Sequence, residues 1–201
     1  MHKIAIMIPA AGASSRMRGR DKLLERVDGL PLLLRQAHMA LACNRDVLVT
    51  VPPGAAGKKR REVLRQSNRL TVRVITDASE GIAASLRAGA AWAQAHEVDA
   101  LMIVLADLPD LGCDDLQKLM QVAAEKPDLV IRAVDQTGAL GHPVIFPARL
   151  FSAIAELNGD QGARDLLRHE DVVTLPLAGG RATTDLDTPE AWARWRARTG
   201  R

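Results

Sequence analysis

The sequence predicts an α/β protein with a mostly parallel sheet between two layers of helices. Short runs of apolar, β-branched residues alternate along the chain with longer stretches of helical character. The first run, residues 4–8, has no polar position, which is typical of a strand buried on both faces. Such alternation implies right-handed βαβ crossovers, and ligands of these sheets lie beyond the carboxyl ends of the strands.

Length and composition indicate a single soluble domain. The 201 residues are enough for one substantial core, and we expect one domain over residues 1–201. A net charge of +3 and an aromatic content of 2% disfavour a nucleic-acid partner. Neither a membrane helix nor an N-terminal signal is predicted, so we expect a cytoplasmic protein without a membrane partner. Cys43 and Cys113 lack metal-ligand spacing and are expected to be reduced thiols.

The first half of the chain follows the alternating pattern. The predicted elements after the opening loop are a turn at Asp28-Gly29, a helix over 32–42, strands over 46–51 and 71–75, a helix over 82–95 and a strand over 100–105. The stretch 55–66 is also helix-compatible, and its run of Lys and Arg is interpreted as a solvated helix face. The strand over 100–105 is the most hydrophobic of the chain and leads directly into Asp107.

The second half departs from simple alternation. A helix over 114–125 and a strand over 129–133 precede Gly-containing turns that flank short apolar pieces, which predicts a small antiparallel excursion over 135–147. The remaining predicted elements are helices over 148–157 and 162–168, a strand over 172–175 and a helix over 189–198. Thr188 caps the last helix and Pro189 is its first residue. We expect its Trp192 and Trp195 to pack within the molecule.

The loop after the first strand carries a pattern that fits a phosphate ligand. Small residues, whose backbone approaches a ligand closely, are followed at once by cations: Ala10, Ala11, Gly12, Ala13, Ser14 and Ser15, then Arg16, Arg18, Arg20 and Lys22. Such a turn supplies backbone N–H groups, and the cations supply charge. The alternative is a tight βα turn followed by a solvated basic stretch. The loop matches neither GxxxxGKS/T nor GxGxxG, which disfavours P-loop and nicotinamide enzymes.

Acidic residues in two other loops fit a magnesium site. Asp107 follows the most buried predicted strand, and Asp185 and Asp187 form a close pair in a Gly-flanked loop. Mg²⁺ prefers one or two carboxylates together with phosphate oxygens and water. The alternatives are loop capping for Asp107 and an interaction with the following helix for Asp187. The lone His142 is interpreted as structural.

The opening loop and several later segments resemble one family over essentially the whole chain. Residues 10–17, with Gly19 and Lys22, resemble the LAAGxSxRMGxxK signature of the MobA-like nucleotidyltransferases. The later segments in the same order are Glu80-Gly81, Ser85-Leu86-Arg87, residues 105–109, Gly141-His142-Pro143, residues 159–164 and residues 185–190. The resemblance implies a three-layer, Rossmann-like sheet of the nucleotide-diphospho-sugar transferase type. The chain departs from the signature at Pro9 and at Arg18, an inserted residue that is expected to shift Lys22.

The resemblance also implies a reaction and a set of roles. The AAG form resembles the cytidylyltransferase (MocA-like) branch, in which CMP passes from CTP to molybdopterin cofactor and pyrophosphate is released. The implied nucleotide contacts are Ala10, Ala11, Gly12, Ala13, Ser14, Ser79, Gly81 and Ser85. Arg16 and Lys22 are implied to neutralise the pyrophosphate, while Asp107 and Asp187 hold Mg²⁺. Arg164 and the 141–143 loop are candidates for the pterin side, and molybdoenzyme maturation proteins are candidate partners.

Three alternatives stay open at this level. The first is a molybdopterin enzyme that uses GTP in place of CTP. The second is a nucleotidyltransferase that acts on another phosphorylated small molecule, and the third is a nucleotide-binding maturation factor without turnover. The two separate acidic loops favour an enzyme, since a protein that only binds nucleotide has no need of both.

Overall fold

Strands and helices alternate along the chain as predicted. A computed structural model describes residues 2–43, 46–67, 69–159 and 162–201. The strands are β1 (Ile4–Pro9), β2 (Arg26–Val27), β3 (Leu30–Pro31), β4 (Val47–Val51), β5 (Thr71–Val74), β6 (Ala100–Ile103), β7 (Val130–Val134), β8 (Leu140–Pro147) and β9 (Val172–Pro176). The helices are α1 (Leu32–Cys43), α2 (Gly54–Leu64), α3 (Ile82–Ala95), α4 (Cys113–Glu125), α5 (Phe151–Ala155), α6 (Arg164–Arg168) and α7 (Pro189–Thr199).

A seven-stranded sheet in the order β5-β4-β1-β6-β8-β7-β9 forms the centre of the molecule. β1 pairs in parallel with β4 on one side and with β6 on the other. The chain builds outward from β1 to β4 and β5 and then returns across β1 to form β6, so the strand order reverses between β1 and β6. Ligand crevices of parallel sheets form at such reversals. The predicted mostly parallel sheet is confirmed.

The predicted antiparallel excursion is an interior strand of this sheet. β8 pairs antiparallel with both β6 and β7, and β7 pairs in parallel with the edge strand β9. A separate two-stranded sheet, β2 and β3, closes the predicted Asp28-Gly29 turn. Because β8 runs against β6, its first residues lie at the edge of the sheet where β6 ends.

Helices cover both faces of the sheet. Ile4, Ile6 and Ile8 of β1 point into one core with α1, α2 and α4, while Ala5 and Met7 point into the other with α3 and α5. All five side chains are buried, so the prediction of a strand buried on both faces is confirmed. The layered arrangement leaves the carboxyl edge of the parallel strands free to carry a site.

The last helix packs on the opening loop. Trp192 and Trp195 of α7 meet edge to face with ring centroids 5.9 Å apart, and both are buried with Met17 and Leu32. The predicted intramolecular packing of the two tryptophans is therefore confirmed. Since Met17 directly follows Arg16, this small core anchors one end of the loop that carries the predicted cations.

Two expectations need correction. Cys43 and Cys113 form a disulfide with their Cα atoms 5.6 Å apart, so the expectation of reduced thiols is wrong. The two cysteines are 70 residues apart in sequence, but the end of α1 and the start of α4 lie side by side. The helix predicted over 148–157 is shorter, with a 3₁₀ turn at Ala148–Leu150 before α5.

The Asp160-Gln161 part of the family-like segment lies outside the described residues. No described helix is both long and apolar enough to cross a bilayer.

Candidate active site

A cavity of about 610 Å³ lies at the carboxyl edge of the sheet, at the reversal between β1 and β6. Its lining includes Ala10, Ala11, Gly12, Ala13, Ser15, Arg16, Lys22, Ser79, Gly81, Ser85, Asp107, Asp185 and Asp187. The structure thus gathers nearly all the predicted site residues, from segments far apart in sequence, around one space. Among the predicted nucleotide and metal residues, Ser14 does not line this cavity, and its hydroxyl group donates to Asp21 at 3.3 Å. Arg164 and His142, candidates for the pterin side, line a separate cavity of about 250 Å³.

The opening loop presents unpaired backbone N–H groups. The amide of Ala10 still donates to the carbonyl oxygen of Thr50 at 2.9 Å, which extends the β1–β4 ladder by one residue. The amides of Ala11, Gly12 and Ala13 have no hydrogen-bond partner in the part of the chain that the structure describes. Unpaired amides beside a cationic cluster are suited to phosphate oxygens.

Gly12 provides a test of this loop that does not disturb the protein. A Cβ atom built on Gly12 meets no atom within 4 Å, so alanine fits without a clash inside the protein. We expect Gly12→Ala to keep its unfolding temperature but to bind nucleoside triphosphate about tenfold more weakly or worse, because the methyl group occupies space that the phosphates need. Unchanged affinity by calorimetry would exclude close approach of the phosphates to this residue.

A buried arginine, Arg60 of α2, holds the loop in shape. Its side chain is only 1% exposed. The guanidinium group donates to the carbonyl oxygens of Ala10 (2.7 Å) and Gly12 (2.8 Å) and to the hydroxyl oxygen of Ser14 (3.3 Å). It also pairs with both carboxylate oxygens of Asp21, at 2.8 and 2.9 Å. The loop carbonyls are therefore bound to Arg60, while the neighbouring amides stay free.

The solvated-face interpretation of residues 55–66 is therefore wrong at Arg60. Lys58 and Lys59 are exposed as expected, but Gly57, Arg60 and Leu64 form the buried stripe of α2. These three positions follow the i, i+3, i+7 spacing of one helix face. That spacing is the sequence signal that places Arg60 inside.

Lys22 connects the two acidic loops. Its ammonium group donates to a carboxylate oxygen of Asp107 and to one of Asp187, and all three side chains are less than 20% exposed. The amide of Leu186 donates to the carbonyl oxygen of Asp107 at 3.1 Å, which ties the late acidic loop to the end of β6. Lys22 thus contacts Asp187, which lies 165 positions later in the chain.

The opposite charges of Lys22 and the carboxylates stabilise one another. Burial alone would lower the pKa of Lys22, but the carboxylates of Asp107 and Asp187 raise it above its ordinary value. Burial alone would raise the pKa of Asp187, but Lys22 and Arg16 hold it below its ordinary value. Asp185 differs, because burial and the charge of Asp187 raise its pKa. Lys22 and Asp187 are therefore charged at neutral pH, and Asp187 is the stronger candidate of the acidic pair for a cation ligand.

The inserted Arg18 does not move Lys22 out of the cavity. Arg18 adopts a left-handed backbone conformation (φ 54°) at the end of the 3₁₀ turn Ser15–Met17, and its guanidinium pairs with Glu190 of α7 at 2.6 Å. The extra residue therefore lies at the protein surface, and Lys22 keeps its place in the cavity. Arg16 remains 68% exposed at the rim of the cavity and pairs with Asp187.

The carboxylates have the chemistry of a divalent-cation site. Asp107 Oδ1 is buried and has no hydrogen-bond partner among the described residues, so one oxygen of this carboxylate is unsatisfied. A buried charged oxygen without a partner is costly, and a cation removes that cost. Within the described ranges no three acidic, His or Cys side chains are spaced to hold a metal ion by themselves. Phosphate oxygens and water would complete the coordination of a hard cation such as Mg²⁺.

The opposite wall of the cavity comes from the start of α3 and the 3₁₀ turn Ala78–Glu80 before it. Ser79 is exposed there, and Gly81 has a φ of 82°, which favours glycine. Ser85 is buried and accepts a hydrogen bond from Thr50 at 3.1 Å. Arg87 fixes this turn by pairing with Asp77 (2.5 Å) and Glu80 (2.6 Å). Ser79, Gly81 and Ser85, the residues predicted to contact the sugar or base, therefore line the same cavity as the opening loop.

Comparisons with known proteins place this geometry in a family. Residues 6–173 match the model of the MobA-like NTP transferase domain. The chain is 31% identical over 127 residues to the purine catabolism protein PucB of Bacillus subtilis, with 62% of this chain and 60% of PucB covered, so it spans less than two thirds of that relative. It is 28% identical to the probable molybdenum cofactor guanylyltransferase of Synechococcus elongatus, with 90% and 93% covered. The crystal structure of Rv0371c from Mycobacterium tuberculosis matches at a TM-score of 0.80, 25% identity and 96% of both chains.

Proposed function

Because the chain belongs to the MobA-like NTP transferase family and is a nucleotidyltransferase, we propose that it transfers CMP from CTP to molybdopterin cofactor with Mg²⁺. One observation carries the proposal: the unpaired loop amides and the Lys22–Asp107–Asp187 cluster face the same 610 Å³ cavity. This arrangement offers donors for the phosphates of a triphosphate and carboxylates for its metal ion. Nucleotides are cytoplasmic metabolites, so the proposal implies a cytoplasmic protein, and molybdoenzyme maturation proteins remain candidate recipients of the product.

The proposed reaction is a displacement at the α-phosphorus. An oxygen of the acceptor's phosphate forms a bond to the α-phosphorus, the bond from that phosphorus to the bridging oxygen breaks, and pyrophosphate leaves with the electron pair. Such chemistry depends on alignment of the reactants and on neutralisation of charge. Bound Mg²⁺ would supply Lewis-acid stabilisation of the phosphate oxygens, with Asp107 and Asp187 as its protein ligands.

The chain's own groups would supply the remaining interactions. The amides of Ala11 to Ala13 bind phosphate oxygens, and Arg60 binds the carbonyl oxygens of Ala10 and Gly12. Lys22, held between the carboxylates of Asp107 and Asp187, supplies positive charge beside the triphosphate. Arg16, at the rim, neutralises the departing pyrophosphate.

Two observations bear on the base of the nucleotide. The AAG sequence of the opening loop supports CTP, whereas the name of the Synechococcus relative supports GTP. Hydrogen bonds to the base decide such choices and discriminate strongly. A GTP-using enzyme is therefore the second candidate.

Thermal stabilisation tests the choice of nucleotide. With Mg²⁺ and equal ligand concentrations, we expect CTP to raise the unfolding temperature more than GTP, since a ligand of the native state stabilises it by about 2.7 kcal/mol at 100 times its Kd. A larger shift with GTP would overturn the cytidylyl assignment and leave the nucleotidyltransferase in place.

A further inference from the structure

The strand β5 forms one open edge of the seven-stranded sheet. It pairs with β4 on one side, and none of the described strands pairs with its other side. The amide of Ile75 donates to the carbonyl oxygen of Val51 at 2.9 Å, and in a parallel ladder only alternate residues of a strand bond to a given neighbour. The N–H and C=O groups of Val72 and Val74 therefore point away from β4, to the free edge.

Two valines make this edge apolar. Val72 and Val74 are 36% and 37% exposed. Their register partners in β4 point into the core that α2 covers, so both valines lie on that face of the sheet. Arg73 is turned to the opposite face, where its guanidinium group donates to the carbonyl oxygen of Ala88 of α3 at 3.1 Å. Proteins often block open edges with charged side chains, and β5 has none on its valine face.

Cations of α2 border the valines. Lys58, Arg61 and Arg65 follow the i, i+3, i+7 spacing of one helix face, beside the buried stripe of the helix. On the other side of that stripe, Ala56 and Lys59 line a cavity with the opening loop, which follows β1. Because β1 and β5 lie on opposite sides of β4, the helix face with Lys58, Arg61 and Arg65 is turned toward β5.

These cations are not neutralised by the part of the chain that the structure describes. Lys58, Arg61 and Arg65 form no ion pair or side-chain hydrogen bond with it. The same is true of Arg69, which is exposed two residues before β5. Glu62 is the one carboxylate from Lys58 to the end of β5. Such a surface attracts an acidic partner and repels a second copy of this chain, since pairing two β5 edges would bring their cations together.

We propose that the β5 edge and the neighbouring cations bind an acidic, extended segment of a partner protein. The segment adds a strand to the sheet through the outward N–H and C=O groups of Val72 and Val74, a recognition mode known as β-augmentation. Its β-branched side chains contact the two valines, and its carboxylates pair with Lys58, Arg61 and Arg65. None of these five residues lines the cavity of about 610 Å³, so docking leaves that site open.

A peptide fits this edge better than a nucleic acid does. A row of outward backbone groups at strand spacing matches another peptide backbone. Single-stranded nucleic acids are held by aromatic side chains on which their bases stack, and residues 58–74 contain no aromatic residue. The charge of the surface therefore serves carboxylates in this proposal, not phosphates.

The test uses a fluorescein-labelled peptide of alternating glutamate and valine, with binding to the full chain measured by fluorescence anisotropy. We expect saturable binding. A glutamate–glycine peptide of the same length and charge should bind about tenfold more weakly or worse, because it lacks the apolar, strand-forming side chains. At saturation, amide hydrogen exchange at Val72 and Val74 should slow by about tenfold or more, since their N–H groups become hydrogen-bonded.

Charge reversal tests the cations. Arg61→Glu combined with Arg65→Glu should weaken binding of the glutamate–valine peptide by about 10- to 100-fold, because two attractive charges become repulsive. Lys118→Glu is the matched control. Lys118 is an exposed lysine of α4, which packs on β7 and β8, so its reversal should change binding by less than about twofold.

Val72→Pro tests the edge itself. The change removes an N–H group that points away from β4, so the β4–β5 ladder keeps its hydrogen bonds, and peptide binding should fall by about tenfold or more. If this variant does not fold, a glutamate–valine peptide with every amide N-methylated tests the same hydrogen bonds against the unchanged protein. That peptide should not bind.

The following results would overturn the inference. In the peptide arms they are no binding of the glutamate–valine peptide, equal binding of the glutamate–glycine or N-methylated peptide, and undiminished binding in the double arginine variant. In the partner arms they are tighter binding of a single-stranded oligonucleotide to the same arginines, and sedimentation of the free chain as a dimer that Val72→Pro abolishes. The last result would assign the edge to a second copy of the chain.

Discussion

Replacement of Asp107 by alanine is expected to abolish metal-dependent pyrophosphate release while the protein stays folded. The carboxylate presents a buried, unsatisfied oxygen to the cavity, and its other oxygen is paired with Lys22. Loss of a metal ligand removes several kcal/mol of charge stabilisation, so we expect turnover to fall by a factor on the order of 10³ or more. Circular dichroism checks the fold, and a coupled pyrophosphate assay measures turnover.

Asp110→Asn is the matched control for this variant. Asp110 belongs to the same loop, but its carboxylate accepts from the indole of Trp195 at 3.0 Å and pairs with Arg198, and it does not line the cavity. An asparagine oxygen still accepts from the indole, so activity should be retained. Near-normal turnover of Asp107→Ala would contradict the assignment of Asp107 as a metal ligand.

Replacement of Arg60 by methionine is expected to cause the largest loss of stability among the variants considered. Arg60 is buried and makes bonds to Ala10, Gly12, Ser14 and Asp21. Breaking one partner of a buried ion pair costs about 3–5 kcal/mol, because the other charge is left without compensation. Denaturant unfolding should show this loss, and nucleotide affinity should fall with it because the loop carbonyls are released.

The partner of Arg60 allows a stricter test. Asp21→Asn combined with Arg60→Met removes both charges, so the double variant should be less destabilised than the sum of the single variants. Lys58→Met, an exposed substitution on the same helix, should change stability by no more than about 0.5 kcal/mol. Additive effects of Arg60→Met and Asp21→Asn would show that the pair does not hold the loop.

Local sequence patterns were sufficient to predict the fold and the composition of much of the candidate site. The apolar runs at β1, β4 and β6 and the turns at their carboxyl ends are local features, and the edge at which they meet follows from parallel pairing. The resemblance of residues 10–17 to a family signature identified the loop, and the structure brings Lys22, Asp107 and Asp187 together there. Their roles, and the single domain over residues 1–201, stay predictions.

The missed features depend on contacts between distant residues. Arg60 lies in a run of cations. Its helical spacing with Gly57 and Leu64 is a weak local signal, and its pairing with Asp21, 39 residues earlier, is a contact that the local pattern does not contain. The Cys43–Cys113 pair forms because two helix ends meet, which no spacing reveals. The interior position of β8 between β6 and β7 was also missed, since the sequence indicated only a small antiparallel excursion.

Pyrophosphate release tests the central claim most directly. The purified chain is incubated with Mg²⁺ and either CTP or GTP, with and without molybdopterin cofactor. We predict release from CTP that requires both the cofactor and Mg²⁺, with much less from GTP. Tight binding of CTP without pyrophosphate release in the presence of the cofactor would contradict the claim and indicate a different acceptor or a nucleotide sensor.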